Sequence, residues 1–225
     1  MIVEAKNIKK IYKNNRGLHE ANFTIRKGRI VALAGGNGAG KSTLIRLLTK
    51  QEKPTSGEFI WHQDGLVRYM PDDVDFPSTL TAEEVLGLLA SLKKVDRSLQ
   101  DEILKQVGLY EVKKQKVSSF SKGMRQRLNL AQSLMGGDGL IIMDEPTNGL
   151  DPYWIARLKE IMMEERNRGA TVLFSTHMLA FAEQLADDVL ILHEGRIIAA
   201  GEVEQLLAES RCHHLEQLWL QKIGL

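Results

Sequence analysis

Short apolar runs alternate with stretches of helical period along this chain. Arg29-Ile30-Val31-Ala32-Leu33-Ala34 is continuous and β-branched, the pattern of a strand buried on both faces. Leu140 to Met143, Thr171 to Ser175 and Val189 to Leu192 have the same character, and Ile197 to Ala200 is a late strand. Ile2 to Ala5, Asn22 to Ile25 and Glu58 to Trp61 are shorter candidates, punctuated by Gly17, Gly28 and Pro54-Thr55-Ser56-Gly57. Leu66 to Met70 is a further strand, stopped by Pro71. Ser42 to Leu48 switches to helical spacing. Between residues 80 and 135 the helical period takes over. Thr81-Ala82-Glu83-Glu84 is a capping box, with Leu80 and Val85 placed as a hydrophobic staple. Ser98 is the expected cap of a second helix that Gly108 ends. Strands separated by helices after Gly139 predict a parallel sheet, so the chain reads as an α/β domain with a helical insertion. The expected boundaries are residues 1–79 and 136–225 for the core and 80–135 for the insertion. From Glu202 onward, Leu206, Leu207, Leu215, Leu218 and Trp219 mark an amphipathic helix pair.

Composition narrows the classes. A chain of 225 residues with 43% hydrophobic and 26% charged residues is ordinary globular material. A net charge of +1 leaves no basic footprint for nucleic acid, so no nucleic-acid partner is expected. One cysteine, Cys212, excludes an internal disulfide. The first ten residues lack the apolar core of a signal peptide, and no window reaches bilayer-spanning length. Any membrane role therefore calls for a partner.

The chemistry starts at Gly35-Gly36-Asn37-Gly38-Ala39-Gly40-Lys41-Ser42, followed by Thr43. Gly, four residues, then Gly-Lys-Ser between a strand and a helix is the P-loop pattern. The glycines let backbone N–H groups turn inward onto phosphate, and the helix N-terminus favours an anion. Lys41 is placed to reach the β- and γ-phosphates, and Ser42 to ligate Mg²⁺. Further on, the apolar strand 140–143 ends in Asp144-Glu145. Two acids at a strand end are commonly just solvated. After a phosphate loop, Asp144 reads as a Mg²⁺ holder and Glu145 as the base that takes a proton from attacking water. Ser121-Lys122-Gly123-Met124 opens a helix with Ser121 as its N-cap, which by itself is no more than a capped helix.

Taken together, these motifs resemble the ATPase subunit of the ATP-binding cassette (ABC) family, from Tyr12 to about Gly201. The resemblance implies a P-loop NTPase parallel sheet with an N-terminal antiparallel β-subdomain and an inserted helical subdomain. It implies ATP and Mg²⁺ as cofactors and a second ATPase subunit, expected to be an identical chain. Phe120 to Met124 is similar to the family signature, whose Ser121 and Gly123 would bind the γ-phosphate held by the opposite subunit. Asn148-Gly149-Leu150-Asp151 resembles the loop that crosses that interface. His177 is similar to the switch histidine that contacts the γ-phosphate, and Tyr12 to the aromatic that stacks on adenine; Tyr12 as plain packing stays open. The family also implies docking on an integral membrane permease at the cytoplasmic face, and the form of the signature makes export the expected direction.

Two departures stand out. Lys122 and Met124 replace the usual Gly and Gln of the signature, which points to export-type subunits. Asp72 stands where the family places Gln after Tyr69-Met70-Pro71; a carboxylate there can ligate Mg²⁺ or repel phosphate. Lys113-Lys114-Gln115-Lys116 reads as a solvated face and the pair Met162-Met163 as core. The other histidines share no metal-ligand spacing with Cys212. Two rivals stay in view: a soluble ATPase of the same family acting on nucleic acid or ribosomes, and a regulatory protein that binds ATP without hydrolysis. No long coiled coil separates the motifs, and only one cassette is present, which argues against the first.

Overall fold

The computed structural model describes residues 1–13, 16–62, 66–93 and 95–225. Two sheets form. The first is antiparallel, in the order β2-β1-β4, from β1 (Val3–Ile11), β2 (Gly17–Ile25) and β4 (Ser56–Trp61). The second runs β5-β6-β7-β3-β8-β9, from β3 (Ile30–Gly35), β5 (Leu66–Met70), β6 (Gly139–Met143), β7 (Thr171–Thr176), β8 (Asp188–His193) and β9 (Arg196–Glu202). Its first five strands are parallel and β9 returns antiparallel.

Every residue of β3, β6 and β7 is buried. Their alternate side chains feed two cores, as the two-residue period of a strand requires. Ile30, Ala32, Ile141, Met143, Val172 and Phe174 face one core, shared with the helices α2 (Ala82–Lys93), α4 (Lys122–Leu134) and α5 (Pro152–Asn167). Val31, Leu33, Leu140, Ile142 and Leu173 face the other, shared with the antiparallel sheet and with Leu44, Ile45 and Leu48 of α1 (Lys41–Leu48). The sheet is thus covered on both faces, and its polar chemistry is confined to strand ends.

The capping box forms as expected: Thr81 N–H and hydroxyl donate to Glu84 Oε2 at 2.7 and 2.9 Å. Helix α3 (Arg97–Gln106) starts two residues earlier than expected, because Asp96 rather than Ser98 is its N-cap and accepts from Ser98 N–H at 2.7 Å. Ser98 is a donor to that cap. The methionine pair splits: Met162 is fully buried, whereas Met163 is 43% exposed. Lys113 is not free in solvent either; it pairs with Asp101 at 2.6 Å and lies over the Tyr110 ring. The tail folds as α7 (Val203–Ser210) and α8 (Leu215–Ile223), the latter seated on α6 (Leu179–Leu185) through Glu183, which accepts from Leu215 N–H at 2.7 Å. Among the described residues no helix is long and apolar enough to cross a membrane.

Candidate active site

In an open parallel sheet ligands gather outside the carboxyl ends of the strands. Four neighbouring strands deliver residues there. β3 ends in Gly35 and feeds the phosphate loop, β6 leads to Asp144-Glu145, β7 to His177, and β5 to Pro71-Asp72. A cleft of about 340 Å³ lies among them, lined by Tyr12, Arg16, the loop 36–43, Asp72, Asp144 and Glu145.

The loop gets its shape from glycine. Gly40 caps α1 in the left-handed region, at φ 108°, a conformation that costs any side chain energy. The turn between β8 and β9 supports the loop from below, since Gly195 N–H donates to the Ala39 carbonyl at 2.9 Å. Lys41 is 7% exposed. Its ammonium donates to the Gly35 carbonyl at 2.8 Å and the Gly36 carbonyl at 3.3 Å, and lies 3.2 Å from Glu145 Oε1. The second oxygen of Glu145 lies 2.9 Å from His177 Nδ1. Glu145 is therefore held between a lysine from β3–α1 and a histidine from β7–α6. Its backbone is also constrained, with φ 45°, a left-handed conformation that sites tolerate at a cost of roughly 1–3 kcal/mol.

Ser175 explains how that backbone is kept. The β6–β7 register pairs Met143 with Phe174, so Asp144 falls beside Ser175. The Ser175 hydroxyl donates to Asp144 Oδ1 at 2.6 Å and accepts from Glu145 N–H at 2.8 Å. Ser175 is fully buried. Burial pushes the Asp144 carboxyl above the ordinary carboxylate range; the Ser175 bond and Lys41 pull it back, while Asp72 and Glu145 add to the rise. A desolvated carboxylate facing other acids is a ready seat for a cation. Among the described residues no group of three or more His, Cys, Asp or Glu side chains forms a metal cage. A cation here would take its remaining ligands from Ser42, phosphate oxygens and water, as Mg²⁺ does with triphosphates. The residues present fit it.

Asp72 Oδ1 accepts from Asn148 Nδ2 at 2.6 Å. The segment carrying it is tied to α4 by one buried and one half-buried amide: Asn129 Nδ2 donates to the Pro71 carbonyl at 2.7 Å and Gln132 Nε2 to the Tyr69 carbonyl at 2.7 Å. Ser121 caps α4 and accepts from Met124 N–H at 3.2 Å. Gly123 lies against the Gly149 carbonyl, where an added Cβ would stand at 2.9 Å. Gly123 is thus packed against the loop 148–151, Ser121 is exposed at the start of α4, and neither is among the residues lining the phosphate cleft. Asp151 in turn caps α5, accepting from Trp154 N–H at 2.9 Å. Tyr12 lines the cleft, and its hydroxyl donates to Glu52.

The structure brings together Lys41, Ser42, Asp72, Asp144, Glu145 and His177, and it leaves the signature pair elsewhere. Sequence reasoning missed Ser175 and the amides of α4. The amides had a signal: Gln126, Asn129 and Gln132 repeat every three residues as a polar stripe on an otherwise apolar helix face. Ser175 had none, because only strand register places it beside Asp144.

A parallel sheet whose central strand opens into a glycine loop, a buried lysine and adjacent acids defines a P-loop nucleoside triphosphatase. Residues 18–148 match the family model described as ABC transporter. The lantibiotic transport ATP-binding protein SrtF of Streptococcus pyogenes is 37% identical over 211 residues, covering 90% of this chain and 92% of that protein. The bacitracin transport ATP-binding protein BcrA of Bacillus licheniformis is 34% identical, covering 93% of this chain and 72% of that one. A solved structure described as the ATP binding subunit of an ABC transporter superposes with a TM-score of 0.88 at 31% identity, covering 99% of this chain and 100% of that chain. CbiO1 from Clostridium perfringens, described as part of an ABC transporter complex, gives 0.78 at 26% identity over 93% of this chain and 91% of that one. The chain belongs to the ABC transporter family. It is an ATP-binding subunit, and its enzymatic activity is that of an ATPase.

Proposed function

We propose that this chain drives export by a separate membrane permease, hydrolysing Mg²⁺-ATP at two sites shared between a pair of identical chains. The observation that carries the hydrolytic assignment is Glu145, held between Lys41 and His177 at 3.2 and 2.9 Å on the rim of the cleft. In this reading the loop Gly35–Thr43 cradles the phosphates, with Asn37, Gly38, Ala39 and Gly40 supplying backbone N–H groups. Ser42, Asp144 and Asp72, which line the same cleft, would hold Mg²⁺. Mg²⁺ supplies charge neutralisation at the β- and γ-phosphate oxygens. Glu145 takes the proton of the attacking water, and His177 keeps its carboxylate aimed while contacting the γ-phosphate. Ser121 and Gly123 act on the ATP of the opposite chain, which is why they lie outside their own cleft. Tyr12 stacks on the base.

The permease assignment rests on relatives named for lantibiotic and bacitracin transport. An apolar groove of about 320 Å³, bounded by Pro71, Val74, Phe76, Leu80, Val85 and Leu88, borders the Asp72 segment. A helix of the permease seated there would press on residues one step from the Asp72–Asn148 contact, at the cytoplasmic face of the membrane. The rival of a soluble ATPase on nucleic acid or ribosomes is not favoured by these relatives or by a net charge of +1. Two experiments test the proposal. Glu145→Gln is expected to bind ATP at wild-type strength and to hydrolyse it about a hundredfold or more slowly; undiminished turnover would remove Glu145 from the mechanism. The tagged chain, purified from its native membranes in mild detergent, is expected to bring down a polytopic membrane protein in stoichiometric amount. Recovery with ribosomes or nucleic acid instead would overturn the permease assignment.

A further inference from the structure

Glu52 lies just past α1 and outside every motif described above. Its carboxylate joins three side chains. The Tyr12 hydroxyl lies 3.0 and 2.9 Å from its two oxygens. Arg46 Nη1, from the last turn of α1, donates to Oε1 at 3.0 Å. Lys10 Nζ lies 3.0 Å from Oε2. Lys10 also donates to the Lys53 carbonyl at 3.0 Å and stands over the Tyr12 ring, 5.6 Å from its centroid. Tyr12 and Arg46 both line the nucleotide cleft.

Stacking needs a ring whose plane is already set, because ordering a side chain during binding subtracts from affinity. Tyr12 sits one residue past the end of β1, where its N–H still donates to the Arg16 carbonyl at 2.8 Å; that bond fixes the backbone and leaves the ring free to turn about its side-chain torsions. Glu52 supplies the missing restraint at the hydroxyl, and Lys10 restrains the ring from above. Arg46 extends the same web into the helix that carries Lys41, Ser42 and Thr43. The bonds are charge-assisted, the stronger kind.

We propose that Glu52 is a positioning residue for nucleotide recognition, which fixes the Tyr12 ring as the wall against the base of ATP and ties that wall to α1. The inference rests on the reading of Tyr12 as the base-stacking residue. Glu52 contacts no phosphate in this arrangement, so its effect is confined to ligands that carry a base. If Glu52 instead serves only to neutralise Arg46, its loss changes phosphate binding as such.

Calorimetric titration of the full chain with ATP and with inorganic tripolyphosphate, which has no base, separates these outcomes. Glu52→Ala and Tyr12→Phe are each expected to weaken ATP about three- to tenfold and to leave tripolyphosphate within about twofold. The double variant is expected to be no weaker than Glu52→Ala alone, since both changes remove one shared contact. Tyr12→Phe deletes a hydroxyl and keeps the ring, so folding is preserved. Equal losses for both ligands, unchanged ATP affinity, or additive losses would overturn the proposal. Tyr12→Ala locates the failure. It should cost ATP about fivefold or more through lost stacking. If Tyr12→Ala leaves ATP affinity intact, the base-stacking reading falls and Glu52 with it. If Tyr12→Ala weakens ATP and Glu52→Ala does not, Glu52 alone is overturned.

Discussion

Asp144 shows how a single residue trades stability for chemistry. Its carboxylate is buried beside Glu145 and near Asp72, and burial is the main cause of its raised pKa. An acid with a folded pKa above its unfolded value stabilises the fold only while protonated. That contribution is lost as pH rises through the folded pKa, so at neutral pH the ionised Asp144 is a cost. Asp144→Asn is therefore expected to raise the melting temperature of the nucleotide- and metal-free chain at pH 7, by about 2–4 °C for each kcal/mol relieved. The gain should shrink as pH falls through the raised folded pKa of Asp144, where the wild-type carboxyl becomes protonated. Thermal unfolding of both proteins across that range checks it, and a gain that is constant with pH would contradict it. The variant should also lose the stabilisation that Mg²⁺ adds in the presence of ATP. Ser175 belongs to the same residue-scale account: one buried hydroxyl satisfies both the acid and the strained N–H of Glu145.

At the scale of elements, the strands were legible where burial is two-sided. β3, β6, β7 and β8 read directly as apolar runs because the middle of a strand between two cores buries side chains on both faces, leaving polar residues such as Ser175 and Asp188 to the strand ends. β1 and β2 are longer than their apolar segments, since their outer halves alternate Lys, Asn and Glu with buried Ile8 and Leu18. The reversed direction of β9 leaves no trace in a local pattern; it follows from the tight Glu194-Gly195 turn. The cap of α3 was misread because Asp96 and Ser98 are both good caps and only the backbone decides between them. The phosphate loop and the acids were fully legible, because their chemistry depends on local order. Glu52, Ser175 and the α4 amides were not, because their partners lie 30 or more residues away in most cases. One element pairing is testable directly. Arg68 of β5 is buried and paired with Glu165 of α5 at 3.0 Å, with the Leu134 carbonyl of α4 as its other partner at 3.1 Å. Glu165→Ala leaves that guanidinium uncompensated and is expected to cost about 3–5 kcal/mol. Denaturant unfolding measures it; a loss under 1 kcal/mol on the order of a surface pair would show that the pair does not join these elements.

For the whole molecule, the phosphate cleft and the α4 cap lie apart, and under the proposed pairing each would be one half of a catalytic site. The cleft holds Lys41, Asp144 and Glu145, and the α4 cap with Ser121 and Gly123 lies outside it. Gly123 touches Gly149, and Asn148 touches Asp72, so the two halves communicate within a chain through the loop 148–151. A permease helix resting beside Asp72 would act on that path. The central claim is that hydrolysis uses the cleft of one chain and the signature of another. Lys41→Ala disables the cleft and Ser121→Arg disables the signature, so each purified variant is expected to be inactive alone. Mixed in equal amounts, they form pairs in which one intact cleft faces one intact signature. The account predicts that ATP hydrolysis returns on mixing and rises with total chain concentration. A mixture as inactive as its components, or a Ser121→Arg chain that hydrolyses ATP at the wild-type rate, would contradict it.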